Sequence, residues 1–354
     1  MLSFIYDASP MRVVFGSGTL AKVGAEAAAL GIERGMVLST PQQTDLCQQT
    51  VDLLGARHAA HFSGAAMHTP VTVTEEALRA CKEAAVDGFI AVGGGSTTGL
   101  GKALARRTGL PLIAVATTYA GSEMTSVIGE TSEGQKTTAR DPKVLPRSVI
   151  YDVSLTTSLP PVPSALSGLN AMAHAVEAMY AQNRNPITSL MAEEGCRALM
   201  SALPRIIADP ADLSGREQAL YGAWLCGICL QQTEMGLHHK ICHTLGGSFD
   251  LPHAETHSVM LPHTLAYNAD HAPEAMDRLS RAFGGSDPLL RLFDLLKSIG
   301  GPTSLKDLGM PEAGIARATE LALAKPYPNP RPLERTAIEG LLTRAWAGVA
   351  PERS

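Results

Sequence analysis

The stretch "IAVGGGSTTGLGKALA", residues 90–105, runs from an apolar segment through three consecutive glycines into a helical pattern. No other feature limits the fold as strongly. A β-rich run that ends in residues without Cβ lets the backbone turn sharply and approach another group closely. The helix that follows starts with amides that have no intrahelical acceptor, and these face an anion readily. The glycines do not follow G-x-G-x-x-G, so the ordinary dinucleotide fingerprint does not apply. Gly94, Gly95, Ser96 and Thr97 are therefore candidate contacts to a pyrophosphate, with Ser96 or Thr97 expected to cap the helix.

The same strand–helix alternation fills the first part of the chain. "RVVFGSG" (12–18), "GMVLST" (35–40), "GFIAVGGGST" (88–97) and "LPLIAVATT" (110–118) have strand length and strand composition. "AKVGAEAAALG" (21–31) and "TEEALRACKEAAV" (74–86) carry the helical period between them. Continuous apolar strands alternating with helices predict a parallel sheet covered on both faces. Near "SLTTSLPPVPSALSGLN" (154–170) three prolines interrupt this pattern, and every long periodic segment beyond them is helical. The predicted architecture is α/β plus all-α. A dinucleotide-binding domain would span residues 1–157 and an all-helical domain 158–354, with the active site expected in the cleft between them.

A chain of 354 residues, 45% hydrophobic and 18% charged, fits two globular domains. Its formal net charge of −5 without a basic run gives nucleic acid no purchase. "MLSFIYDASPMRVVFGSG" carries neither a basic leader nor a long apolar stretch, so we expect a cytoplasmic protein without signal peptide or membrane span. Of six cysteines only Cys226 and Cys229 form C-x-x-C, inside the apolar "GAWLCGICLQQ". Buried free thiols are expected there rather than a metal site.

A second strand end, "ATTYAGSEMTS" (116–126), places Thr117, Thr118 and Ser122 where open α/β sheets bind ligands, and these hydroxyls are candidate contacts to ribose and phosphate. Lys136, in "EGQKTTARDP", is a candidate charge beside the same ligand. The second strand closes as "VLSTPQQTD", with Ser39 and Thr40 where a ribose-selecting acid would stand, so either NADH or NADPH is expected to serve.

Imidazoles dominate the helical half. "NAMAHAVE" (170–177) puts Asn170 and His174 four apart on one helical face, with Glu177 on the same side and placed to orient His174. "GLHHKICHTLGG" (236–247) puts His239 and His243 four apart as well. His238, about 100° further round, is not expected to converge with them. His253 follows in "DLPHAETH" past the glycines, where a reversal of the chain would bring it back beside His239. Lys240 sits in the middle of the cluster.

"FGSG", "GGGS", "TTYAGSE", "DPKVLP", "NAMAHAVE" and "GLHHKICHTLGGSFDLPHAETHSVMLPH" together resemble the iron-containing alcohol dehydrogenase-like superfamily over nearly the whole chain. "GGGSTTGLGKA" and "GLHHKICHTLGG" narrow the resemblance to its maleylacetate reductases. The resemblance implies the two-domain fold above, a homodimer, and NADH- or NADPH-dependent reduction of maleylacetate, a small dicarboxylate, to 3-oxoadipate. Metal-dependent relatives hold a divalent ion through one aspartate and three histidines, at positions matching Asn170, His174, His239 and His253 here. Asparagine replaces the anionic ligand, which leaves the charge of an Fe²⁺ or Zn²⁺ ion uncompensated, so no metal is expected. The resemblance and the residues together make His243 or His253 the candidate proton donor, with Lys240, His239, His174 and Asn170 around the substrate. The rival expectations are a metal-dependent alcohol or polyol dehydrogenase of the same fold, and a non-catalytic nucleotide sensor.

Overall fold

A computed structural model describes residues 3–132 and 135–353, without the side chains of Gln135 and Lys136. The chain divides into two compact units. Residues 8–159 form one; residues 160–353, together with the segment ending at Asp7, form the other. Gln232 Nε2 donates to the Asp7 carbonyl at 2.8 Å, which ties that N-terminal segment to the helical unit.

The first unit contains strands β1 (Arg12–Phe15), β2 (Gly35–Leu38), β3 (His58–Phe62), β4 (Gly88–Gly93), β5 (Leu112–Ala116), β6 (Val127–Ser132), β7 (Gln135–Arg140) and β8 (Ser148–Tyr151). Helices α1 (Val23–Ala29), α2 (Thr44–Leu54), α3 (Val71–Glu83) and α4 (Gly95–Thr108) alternate with them. Six strands form one sheet in the order β1-β8-β5-β4-β2-β3, and every pairing in it is parallel. The sheet has the double cover expected of continuous apolar strands. Ile90 and Val92 of β4 pack with Val23, Ala27 and Cys47 on one face, while Phe89 and Ala91 pack with Ala77, Leu100 and Leu104 on the other. Strands β3 and β8, helix α2 and the antiparallel hairpin β6–β7 are additions to the sequence expectation. β8, "SVIY", is an interior strand of the sheet but only four residues long, too short for its periodicity to stand out.

The second unit is helical: α5 (Pro161–Ala178), α6 (Pro186–Ala208), α7 (Leu213–Gln232), α8 (Leu237–Phe249), α9 (His253–Asn268), α10 (Pro273–Ala282), α11 (Pro288–Ser298), α12 (Gly314–Leu323) and α13 (Arg335–Ala347). Its start and stop signals are explicit. Asn185 caps α6 through a reciprocal capping box with Thr188, and Asp287 caps α11. Apolar side chains of α8, α9, α12 and α13 share one core around Leu245, Val259 and Leu342. Cys196, Cys226 and Cys229 are free and buried, and burial pushes each thiol up. Among the described residues no helix is long and apolar enough to cross a membrane.

Candidate active site

In the α/β unit the glycine stretch makes the expected strand-to-helix turn, with one change at the cap. Helix α4 starts at Gly95, and its N-cap is Gly94, with no side-chain cap. Ser96 and Thr97 thus lie inside the first turn and do not cap it, because the glycines let the helix begin two residues earlier than a hydroxyl cap requires. The first amides of α4 are left to a ligand. Gly93 has φ +153°, and a Cβ there would come within 2.5 Å of Thr97 Oγ1. The Thr97 hydroxyl is buried without a protein partner. Thr117 Oγ1 accepts from Gln43 Nε2 at 3.1 Å, and Thr117 N–H donates to the Gly93 carbonyl, so the two strand ends are joined. Thr118 lies against Gly94, 2.9 Å from where a Cβ would stand. The side chain of Lys136 lies outside the described residues. An uncapped helix end, an unpaired buried hydroxyl and a backbone free of Cβ suit the phosphates of a dinucleotide.

The residue that organises the second strand end escaped the sequence reading. Lys102 of α4 is fully buried. Its Nζ donates to the Ser122 carbonyl at 2.6 Å, the Val127 carbonyl at 2.8 Å and Thr125 Oγ1 at 3.0 Å, with Ser122 Oγ at 3.4 Å. Ser122 therefore has a partner within the protein. Burial lowers the Lys102 ammonium to about 7, opposed by nearby Glu123 and reinforced by Arg140. A lysine in a helical run looks solvated in sequence, and only the fold turns it inward.

In the helical unit α5, α8 and α9 gather the histidines. Asn170, His174 and His239 are buried, whereas His243 and His253 are exposed and Lys240 is half-buried. Glu177, expected to orient His174, reaches it through His239. It binds His239 Nδ1 at 2.6 Å, and His239 Nε2 meets His174 Nδ1 at 2.8 Å, with the two rings stacked at 4.9 Å. His243 lies 6.0 Å from His239 between ring centroids. His253 opens α9 at 4.4 Å from His257, and the His257 ring stands 5.0 Å from His239. The reversal of chain direction thus links His253 to His239 through His257.

His238 is a correction to the sequence expectation. Its rotation away from His239 is real, but α8 is buried on more than one side, so both rings point into protein. His238 Nδ1 meets Thr264 Oγ1 at 2.9 Å and Nε2 meets His257 Nδ1 at 2.9 Å. The Thr264 hydroxyl donates to the Met260 or Leu261 carbonyl, so it accepts from His238 Nδ1–H. His238 Nε2 is then the acceptor of His257 Nδ1–H, and the lone pair left on His257 Nε2 is buried without a partner. His257 was missed in the sequence, although His253 and His257 repeat the four-residue spacing of His239 and His243. Cys242 Sγ approaches His238 Nε2 at 3.7 Å, and this His238–Cys242–His257 group has metal-ligand spacing. His238 Nε2 meets both His257 Nδ1 and Cys242 Sγ. Burial pushes the Cys242 thiol well up and both imidazoles well down, which keeps all three neutral.

These depressed imidazoles predict a pH dependence. Burial holds His238 and His257 well below the usual 6.5 and His263 at about 4. Below pH 6.5 the unfolded chain takes up protons that the folded chain refuses, so stability present at neutral pH is lost on acidification. The expected slope approaches roughly 4 kcal/mol per pH unit between pH 6 and 5, at about 1.36 kcal/mol per group. Urea melts across that range check it; a flat midpoint would contradict the buried neutral rings.

The positions matching the superfamily's metal ligands fit an ion poorly. The His174–His239 nitrogen separation of 2.8 Å is a hydrogen bond. Two imidazoles on one tetrahedral ion sit roughly 3.3 Å apart, given Zn–N bonds near 2.05 Å. Asn170 offers a neutral carbonyl, buried and without a partner. A cavity of about 620 Å³ is lined by Glu177, Arg184, Gly236, His271 and Asn329, and touches the imidazole cluster through Glu177.

Residues 10–153 match the iron-containing alcohol dehydrogenase family, and residues 164–346 match the C-terminal part of the same family. The chain is 52% identical to the maleylacetate reductase of Burkholderia cepacia over 351 residues, 99% of this chain and 100% of that one. It is 52% identical to that of Sphingobium indicum, over 99% of both chains. The crystal structure of maleylacetate reductase from Agrobacterium tumefaciens superposes with a TM-score of 0.96 at 52% identity, covering 99% of this chain and 100% of that one. That from a Rhizobium strain superposes at 0.95 and 51% identity, with the same coverage. The chain belongs to the iron-containing alcohol dehydrogenase family and is an oxidoreductase.

Proposed function

We propose that the chain reduces maleylacetate to 3-oxoadipate with NADH or NADPH and without a bound metal ion. Identity of about half over 99% of the chain to relatives named for that reaction carries the reading. The uncapped N-terminus of α4 and the buried Thr97 hydroxyl fit the cofactor's phosphates. A bound reduced nicotinamide supplies hydride to the alkene carbon β to the substrate ketone. Negative charge then develops on the ketone oxygen, and the α carbon takes a proton. Lys240 and the buried imidazoles of α5 and α8 hold that oxygen and the two carboxylates. One placed donor to such an oxygen contributes roughly 3–4 kcal/mol. The proton comes from His243 or His253, the two exposed members of the cluster.

Metal independence draws its support from the neutral Asn170 and from the hydrogen bond that occupies His239 Nε2. Protein treated with a strong chelator is expected to keep its full rate with maleylacetate. A rate that vanishes and returns only with Fe²⁺ or Zn²⁺ would overturn metal independence and favour the alcohol dehydrogenase reading. Asn170→Asp restores an anionic ligand beside His174. Equilibrium dialysis should find tighter Zn²⁺ binding by that variant than by the wild type. Equal binding would mean that the imidazoles no longer converge as ligands.

A further inference from the structure

We propose, resting on the nicotinamide reading of the same glycine turn, that Gln43 is a cofactor-binding residue whose carboxamide NH₂ donates to the diphosphate of the dinucleotide. Strand order singles out the place. β2 and β4 lie side by side and parallel. The helices that follow them take opposite faces. Cys47 and Leu54 of α2 pack with Ile90 and Val92, whereas Leu100 and Leu104 of α4 pack with Phe89 and Ala91. Two parallel neighbours whose helices diverge open a crevice at their C-terminal ends, where open α/β sheets take their ligands. Gln43 closes the single turn Pro41–Gln43 that leaves β2, and its side chain crosses that crevice to Thr117, next to the end of β5.

The carboxamide is held at both ends. Thr40 Oγ1 donates to Gln43 Oε1 at 3.3 Å, and Gln43 Nε2 donates to Thr117 Oγ1 at 3.1 Å. Gly93 admits it: a Cβ there would come within 2.6 Å of Gln43 Oε1 and 2.5 Å of Thr97 Oγ1. Gln43 also occupies the N-cap position of α2, yet its side chain makes no capping bond and is committed across the crevice instead. The groups gathered around Gly93 have protons to give. Gln43 Nε2 carries two N–H, and Thr117 takes one of them. The Thr117 hydroxyl accepts that bond and keeps its own proton to donate. The Thr97 hydroxyl is fully buried without a protein partner, and the first amides of α4 have no side-chain cap. A carboxamide, two hydroxyls and a helix N-terminus suit the oxygens of a diphosphate. None of these groups is a cation, so hydrogen bonds rather than ion pairs hold the anion here, and the loss of one donor is felt directly.

Gln43→Glu separates a contact to the cofactor from a tie between strand ends. The glutamate keeps the tie, because the Thr40 and Thr117 hydroxyls both donate to a carboxylate. It removes the amide donor and sets an anion before the diphosphate. Calorimetric titration with ADP should give a Kd raised about tenfold in Gln43→Ala, the scale of one hydrogen bond to a charged group, and about 10²-fold or more in Gln43→Glu, where like-charge repulsion adds to it. The Gln43→Glu deficit should shrink as salt is raised. Adenosine, which has no phosphate, should bind the wild type and both variants alike. NADH followed by its own fluorescence should rank the three proteins as ADP does. An ADP Kd for Gln43→Glu within about twofold of the wild type overturns the contact. So does an equal loss of adenosine and ADP, since a distorted turn weakens both. Should Gln43→Glu fail to fold, unchanged ADP affinity in Gln43→Ala has the same force. A wild type that binds ADP but neither NADH nor NADPH sinks the nicotinamide reading, and the ADP titrations of the variants still decide the diphosphate contact. A wild type that binds no ADP overturns the contact itself.

Discussion

With His253 replaced by alanine, turnover of maleylacetate is expected to fall by about 10²–10⁴-fold, the span of a positioned acid, while nicotinamide affinity stays unchanged. His243→Ala is the companion measurement. The donor must be reprotonated after each cycle, which favours a ring in contact with water. Of the imidazoles around Asn170, only His243 and His253 are exposed. His238 and His257 are neutral, with their nitrogens committed to each other, to Thr264 and to a dry interior. His239 lies between Glu177 and His174. His253 stands beside His257, and His243 beside His239, so each exposed ring is backed by a buried one. Steady-state kinetics on both variants, with cofactor binding followed by fluorescence, separates the two. The ring whose loss costs the larger factor is the donor. If both variants turn over at near the wild-type rate, the proton comes from elsewhere.

Lys102→Met is expected to lower both stability and cofactor affinity. Methionine fills a similar volume, so the main loss is the donor set. Two backbone carbonyls, Ser122 and Val127, lose a charged partner in a dry site. The Ser122 carbonyl keeps the Thr125 N–H at 3.1 Å and Thr125 Oγ1 at 3.0 Å, so the Val127 carbonyl is the acceptor left unmade, at a cost of about 1–3 kcal/mol, offset in part by relief of the lysine's own desolvation. The segment that Lys102 pins follows β5 and carries Ser122, so nicotinamide affinity should weaken about tenfold, an effect of 1.4 kcal/mol. The pH dependence has a definite sign. Lys102 titrates at about 7 in the folded chain, against a usual 10.5. Between those values the unfolded chain binds the extra proton, so this residue's contribution to stability improves as pH rises from about 7 toward 10. The variant should lack that component. Thermal melts of both proteins at pH 7 and pH 9.5 check it; identical melting curves would show that the buried ammonium does not hold the segment.

The α/β half was legible because its signals are local. A buried parallel strand must be apolar on both faces, and β4 and β5 are. Three glycines between β4 and α4 permit one kind of turn. Strand β8 and the hairpin β6–β7 were not legible, because four to six residues carry too few periods to distinguish a strand from a loop. The cap of α4 was misplaced for a related reason: a glycine N-cap has no side chain to announce it.

In the site, residue identities and helical spacing were enough to bring Asn170, His174, His239, His243 and His253 forward as a set, and the asparagine alone cast doubt on a metal. Spacing along one helix cannot say how many of its sides are covered. That is why His238 was set aside and His257 overlooked, although α5 and α9 bury one ring on each side of α8. Nor can spacing say which partner a buried carboxylate chooses. Glu177 stands three residues from His174 in sequence, yet its oxygens go to the amides and ring of α8, because a helix N-terminus and an imidazole N–H together satisfy a carboxylate better than a neighbour on its own helix. Sequence determined which groups are available: the glycine turn, the imidazoles, and the missing anionic ligand. Tertiary structure alone decided where their protons reside, because a proton's position depends on distances of a few tenths of an ångström between residues about sixty positions apart in the chain.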